Sequence, residues 1–419
     1  MKLGVYFEAR LTGEIEQMKS GSMEFKYDPA WLGDKESFAL SYSLPKQDKV
    51  FSTEADSFFG NYLPEGPVRQ AICEIQGISI DNDFALLKKI GGECAGALVI
   101  SESTPEIDKN RYQELLPSRL AEFSSRDAVY ASLTEIENMR LSLAGAQDKL
   151  PIYLAEDKKI LLPLGTAPST HILKFANSRF KGLVLNEYYT MSLASQLGLN
   201  TVEIDLMPVE KEYFLVVKRY DRLRTEPPNL QVKRLHQEDL CQALGVSHKN
   251  KYEKEEGPSF ARAYALVTNA SDSPLVDNEK LIRWQITNLF IGNCDGHAKN
   301  ISFLRSSEGR WRLSPFYDLV CTIAYPQLSK DLAMGVGGVN AIGTLTPVHW
   351  KRMAESIGVH SKTIETMLLK TLETFPMALK LTHEKITKQY GEQPIFDRLH
   401  QALEKNYKII LKRCQINLK

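Results

Sequence analysis

Apolar and polar positions change their rhythm along this chain, and the changes mark its organisation. In the first hundred residues "KLGVYFEA" and "SFALSYSLP" alternate with the period of two that a half-buried strand requires. "LPEGPVRQAICEI" opens a helix with proline near its first turn. "DFALLKKIGGECAGALVIS" predicts a short helix, a glycine break and a buried strand. "ESTPEIDKNRYQELLPSR" is polar with two prolines and reads as a linker.

The rhythm then shifts. "LSLAGAQDKLPIYLAEDKKILLP" predicts two strands around a small-residue turn, and "THILKFA" a third. "LVLNEYYTMSLASQLGL" has helical spacing and a terminal glycine, and "VEIDLMPVEKEYFLVVKRYDR" predicts two more strands. Beyond residue 235 the pattern is helical, from "HQEDLCQALGV" through "SFARAYALVTNA", "EKLIRWQITNLFIG" and "TPVHWKRMAESIG" to "KTIETMLLKTLETF". The resulting division is an α+β subdomain over 1–105, a linker over 106–125, a strand-rich lobe over 126–225 and a helical lobe over 226–419.

Composition narrows the class. A chain of 419 residues with 43% hydrophobic content is long enough for two or three domains with real cores. Lys+Arg and Asp+Glu balance at 52 each, so any contact with nucleic acid must come from a local patch or a partner. The last fifty residues hold ten Lys/Arg against five Asp/Glu, a bias that a solvated helix face explains. Six cysteines, at 73, 94, 241, 294, 321 and 414, form no CxxC pair, and reduced cytosolic thiols are the simplest reading. No signal-peptide core or membrane-length apolar stretch is present, so a cytoplasmic protein with no membrane contact is expected.

Candidate chemistry concentrates in a few places. "GNCDGHAKN" puts Asp295 and Asn300 five positions apart at a helix exit, and "SPFYDLV" adds Asp318. In phosphoryl transfer one carboxylate takes the hydroxyl proton, while an amide and a second carboxylate hold magnesium against the phosphates. Taken alone, such loops are rich in Asp and Asn because they cap and turn. "SLAGAQDK", residues 142 to 149, could cradle phosphates with its backbone, although a tight hairpin would look the same. Lys174 sits among apolar neighbours in "THILKF" and needs an anion or a counter-charge such as Glu187 in "LNEYY". A solvent-facing edge lysine is the plainer explanation. "FLVVKRYDR" then forms a connection whose backbone could read an adenine edge. Loop, strand lysine, helix glutamate, hinge, D-x4-N and final aspartate occur in the order that a two-lobed kinase uses.

These segments resemble the HipA family of serine/threonine kinase toxins from HipBA toxin–antitoxin modules. "FKYDPAWL", "SLPKQ", "SFFGNYLPEGPVRQAI" and "DFALLKKIGGECAGALVI" are similar to its N-terminal subdomain. "SLAGAQDK", "THILKF", "NEYYTMSLASQLGL", "VVKRYDR", "HQEDLCQALG", "DGHAKNISFL" and "FYDLV" are similar to its kinase core. The resemblance implies an α+β protein with a two-lobed protein-kinase-like fold, a small N-terminal α+β subdomain and an all-helical C-terminal lobe. It implies Asp295 as catalytic base, Asn300 and Asp318 as magnesium ligands, and Lys174 on the ATP phosphates with Glu187 beside it. Ala144, Gly145, Ala146, Gln147, Asp148 and Lys149 would form the nucleotide loop. Lys218, Arg219 and Tyr220 would meet adenine through their backbone, with His297, Ala298, Lys299 and Tyr317 near the nucleotide. Lys218 departs from the family pattern, where this hinge position is often acidic. Ser142 falls where the family carries an autophosphorylated serine, a dianion that would repel ATP from the adjacent loop.

The same resemblance implies a toxin acting on a translation component, an aminoacyl-tRNA synthetase such as glutamate–tRNA ligase. It implies a HipB-like helix-turn-helix antitoxin, with operator DNA reached mainly through that partner. Two other readings stay open at this point. One is a small-molecule phosphotransferase using the same Asp, Asn, Asp logic. The other is a catalytically silent module of a repressor complex, which the intact Asp295, Asn300, Asp318 and Lys174 argue against.

Overall fold

The computed structural model describes residues 1–105, 111–122, 149–176, 180–225 and 231–413. The chain divides into two compact units. The first comprises Met1–Ser178, Asp205–Lys249 and Phe303–Arg310, and the second Arg179–Ile204, Asn250–Ser302 and Trp311–Lys419.

The first unit carries two sheets. One is built from β1 (Lys2–Phe7), β2 (Arg10–Gln17), β3 (Met23–Tyr27), β4 (Val50–Phe51) and β5 (Leu98–Ser101), in the order β4-β3-β2-β1-β5. Its pairs are antiparallel, and β1 to β3 follow one another as a meander. Leu3, Val5, Ile15 and Phe25 point to one face and are sealed beneath Phe58, Phe59 and Phe84 from helices Thr53–Gly60 and Asp83–Ile90. The helix Gly66–Gln76 starts with proline in its first turn, as the sequence predicts.

The stretch "SFALSYSLP" is not a strand. Side chains take up its backbone groups in place of a ladder. The Trp31 indole donates to Phe38 O at 3.0 Å, and Leu40 N donates to the Tyr27 hydroxyl at 2.8 Å. The Tyr27 hydroxyl in turn donates to Leu44 O. Alternation here reflects residues threaded under two aromatic side chains rather than a pleat.

The second sheet contains β6 (Tyr112–Glu114), β7 (Lys149–Leu154), β8 (Ile160–Pro163), β9 (His171–Lys174), β10 (Ile204–Val209) and β11 (Glu212–Lys218). Their order is β10-β11-β9-β7-β8-β6. The β6 strand lies inside the stretch read as a linker. It pairs with β8, and Leu115 and Leu120 after it join the same buried cluster as Leu150 and Leu173.

The second unit is mainly helical, as expected, with helices Leu183–Gln196, Phe260–Ala270, Pro274–Phe290, Pro347–Ser356, Ser361–Tyr390 and Pro394–Arg413. Helix Leu183–Gln196 belongs to it by packing, against Ser361–Tyr390 and Pro394–Arg413. The unit also contains a small antiparallel hairpin of Asp331–Val336 with Val339–Ala341, which the helical reading of this half did not include. Among the described residues, no helix is long and apolar enough to cross a membrane.

Candidate active site

The segment "GNCDGHAKN" begins where helix Pro274–Phe290 stops. Gly292 turns the chain with φ of 61°, and a Cβ there would come within 2.3 Å of Ile323 Cδ1. Both backbone and packing therefore require glycine. Thr322 clamps the turn by donating its hydroxyl to Gly292 O at 3.0 Å and accepting from Cys294 N at 2.8 Å. Asn293 accepts from Asp295 N at 3.1 Å and donates to Asn288 Oδ1 at 2.9 Å. A Cβ on Gly296 would come within 2.8 Å of Asn288 Nδ2, so this glycine, which serves as a spacer in the motif, is also fixed by packing. Asn293, Cys294, Gly296 and His297 are buried, while Asp295 between them is exposed. A rigid buried turn thus presents one carboxylate outward.

Burial pushes the Cys294 thiol up to about 11 and the Cys321 thiol up to about 12, so both are protonated and unreactive near neutrality. They are packing residues, as their sequence context suggests.

Beyond Asp295 the chain makes a single 3-10 turn, Ala298–Asn300. Asn300 closes it by accepting from His297 N at 3.0 Å, and its Nδ2 donates to Asp318 Oδ2 at 3.2 Å. Asp318 is held at φ of 60°, an uncommon backbone for a non-glycine residue and a frequent mark of functional positions. The chain before it is anchored by Phe316, whose amide donates to Asn200 O at 2.8 Å and whose ring stacks on Trp284. The Tyr317 hydroxyl donates to Lys299 O at 2.8 Å. After it, buried Asn186 accepts from Cys321 N at 2.9 Å and donates to Cys321 O at 3.1 Å. Asn186 and its neighbour Glu187, 1% exposed, share the buried part of helix Leu183–Gln196. Asn186 was missed in the sequence, although an amide within an apolar helix is a signal of buried pairing.

The strand-rich unit places the remaining candidates. Lys174 ends β9 and is 7% exposed. Its register partner on β7 is Lys149, and on β11 it is Leu215. The two lysines are thus cross-strand neighbours on β7 and β9. Glu187, read as the partner of Lys174, lies in the other unit. Lys218 is exposed at the end of β11. Arg219 N donates to Thr170 O at 3.0 Å, so that amide is already used within the sheet region. The Arg219 side chain is fully enclosed with Glu93, Asp221 and Arg222, and Tyr220 donates to Gln237 Oε1. Ser142 and residues 144–148 lie outside the described residues.

The donor sets suit a nucleotide and a hard cation. Asn300 and Asp318 bring an amide and a carboxylate together at 3.2 Å, and the Asn300 carbonyl oxygen retains a second lone pair. Magnesium takes oxygen ligands, one or two from protein and the rest from water and phosphate, so this pair is sufficient. Among the described residues, no group of three or more His, Cys, Asp or Glu could hold a metal by itself. The paired lysines of β7 and β9 match a polyphosphate in charge.

Comparison with known proteins gives this geometry its context. The HipA N-terminal domain model matches residues 3–101, and the HipA-like C-terminal domain model matches residues 141–379. The chain belongs to the HipA family. It is 39% identical over 364 residues to the putative kinase Y4mE of Sinorhizobium fredii, covering 85% of this chain and 86% of that one. It is 29% identical over 353 residues to the serine/threonine-protein kinase toxin HipA of Shewanella oneidensis, covering 82% and 80%. The HipA chain solved with HipB and operator DNA from Shewanella oneidensis superposes with a TM-score of 0.82 at 26% identity, over 99% of this chain and 96% of that one. The protein is thus an ATP-dependent phosphotransferase of the protein serine/threonine kinase class, with the mixed helix-and-sheet fold of HipA.

Proposed function

We propose that this HipA-family kinase transfers the γ-phosphoryl group of ATP to a serine or threonine hydroxyl of a protein, with Asp295 as the base. The observation that carries this reading is the exposed Asp295 carboxylate on a buried turn, five residues before the Asn300–Asp318 couple. As the acceptor oxygen bonds to phosphorus and the bond to the β-phosphate oxygen breaks, Asp295 takes the hydroxyl proton. Asn300 and Asp318 would hold Mg2+, which when bound neutralises charge on the phosphates. Lys149 and Lys174 would bind those phosphates. The hinge formed by Lys218, Arg219 and Tyr220 would lie along the adenine edge.

The biological reading is a toxin of a type II toxin–antitoxin pair acting in the cytoplasm. Its substrate would be a translation component, such as an aminoacyl-tRNA synthetase and glutamate–tRNA ligase in particular. Its partner would be a HipB-like antitoxin that carries it to operator DNA. The complex of Shewanella oneidensis HipA with HipB and operator DNA supports this last point. Autophosphorylation of Ser142 would switch the kinase off.

Purified protein incubated with Mg-ATP and mapped for phosphopeptides tests this. Phosphate on Ser142 that disappears in Asp295→Ala is the expected result, with a fall in transfer of about 100-fold or more. No transfer to itself or to any lysate protein would refute it. Turnover of a small molecule without protein labelling would favour a small-molecule phosphotransferase.

A further inference from the structure

The segment 250–257, "NKYEKEEG", carries none of the motifs by which the site is recognised, yet it lies against the catalytic turn within the same unit. The Tyr252 hydroxyl donates to Asp295 Oδ1 at 2.6 Å. Its ring meets the His297 imidazole edge to face, with centroids 5.1 Å apart and planes at 84°. The adjacent carbonyl, Lys251 O, accepts from Ala298 N at 3.3 Å.

This segment is pinned. Glu255 N and Gly257 N both donate to Tyr252 O at 2.9 Å. A Cβ at position 257 would come within 2.4 Å of Asn250 O, so glycine is needed to close the turn. The Glu253 carboxylate accepts from Gly335 N, and Lys254 is ion-paired with Asp331. Tyr252 is therefore a fixed wall of the site and not the tip of a swinging loop.

We propose that Tyr252 is a positioning residue for Asp295, an inference that rests on the reading of Asp295 as base. An exposed carboxylate can rotate about its last bond, and each rotation takes the reactive oxygen off line. The phenol holds Oδ1 with a short bond to a charged acceptor. Oδ2, which has no partner among the described residues, is left to receive the proton of the acceptor hydroxyl. A phenol that instead imitated the acceptor would compete with substrate, and it would have to withdraw on every turnover. The anchors at Tyr252 O, Glu253 and Lys254 oppose such withdrawal.

The test compares wild type, Tyr252→Phe and Asp295→Ala as full chains. The readout is transfer of labelled γ-phosphate to protein, summed over the chain itself and a heat-inactivated lysate. Phenylalanine keeps the ring on His297 and removes only the hydroxyl. The expected result is a fall in kcat of about tenfold in Y252F, the size that partial misalignment of a base produces. KM for ATP should stay within about twofold and the Tm should not move, because nucleotide binding and folding do not use this bond. An unchanged kcat in Y252F, with Asp295→Ala inactive, would overturn the role of Tyr252 and leave the base reading intact. A rise in kcat/KM, or phosphate on Tyr252, would make the hydroxyl an acceptor mimic and likewise overturn it. Transfer that survives in Asp295→Ala would remove the base reading and this inference together.

Discussion

Glu238 shows how far a single residue can depart from its ordinary chemistry. It is 3% exposed, accepts from Tyr42 N at 3.1 Å and pairs with the Ser41 hydroxyl. Burial raises its pKa from 4.5 to about 8, outweighing the two hydrogen bonds that lower it. Between those values the folded chain holds a proton that the unfolded chain has lost. The contribution to stability is thus fully present below about pH 4.5 and is lost as pH rises towards 8, about 5 kcal/mol in all. Glu238→Gln should flatten this dependence and raise the Tm at pH 8 relative to wild type, with little change at pH 5. Melting curves at the two pH values check it, and parallel curves for both proteins would contradict the assignment. Gly292 makes a different residue-scale case. Gly292→Ala meets both the φ of 61° and the Ile323 side chain, and should cost about 2 kcal/mol or more together with most of the activity. Thermal melts and ATP turnover measure the two effects.

Elements are tied together by a buried charge cluster in the strand-rich unit. Glu93, after helix Asp83–Ile90, pairs with Arg219 at 3.0 Å, with Arg222 at 2.9 Å and with Arg234. Asp221 completes the set with Arg219 at 2.7 Å and Arg222 at 2.8 Å, and it accepts from Gly96 N. Burial pushes the Glu93 carboxyl up, but Arg234, Arg222 and Arg219 together bring it down to about 2. Glu93→Gln leaves three guanidinium groups short of charge. It should destabilise the fold by about 3 kcal/mol, since breaking one partner of a buried network leaves the others uncompensated. Denaturant unfolding monitored by tryptophan fluorescence reads this out, and a loss below about 1 kcal/mol would show the cluster to be solvated. The elements themselves were largely legible. Helix Leu183–Gln196 and strands β9 and β11 stand where their apolar runs predict them, although the helix is buried nearly all round and β11 at four successive residues. The strand β6 was not legible, because three residues with charged and polar side chains at a sheet edge carry too short a pattern.

At the scale of the molecule, the N-terminal HipA domain is part of a larger body. Beyond the charge cluster, Gln242 Nε2 donates to Phe58 O at 3.0 Å and Asn61 Nδ2 to Val246 O at 3.0 Å. Residues 1–101 therefore share one unit with 205–249. A chain lacking residues 1–101 should be insoluble or lose cooperative unfolding, because it uncovers Arg219, Arg222 and Arg234 and removes Glu93, leaving Asp221 alone to face the first two. A soluble truncation with wild-type ATP affinity by calorimetry would disprove this. The sequence by itself determined the family, the identity of most helices and strands, and which polar residues stand in the order of a phosphotransferase. It could do so because motifs and periodicity are local. Only the tertiary structure decided what surrounds them: Thr322 on Gly292 and Cys294, Asn186 on Cys321, Tyr252 on Asp295. These partners stand 28, 30, 43 and 135 residues apart. Each of these bonds joins a single side chain to one group on a distant segment, and neither end leaves a repeat in the chain for periodicity to reveal.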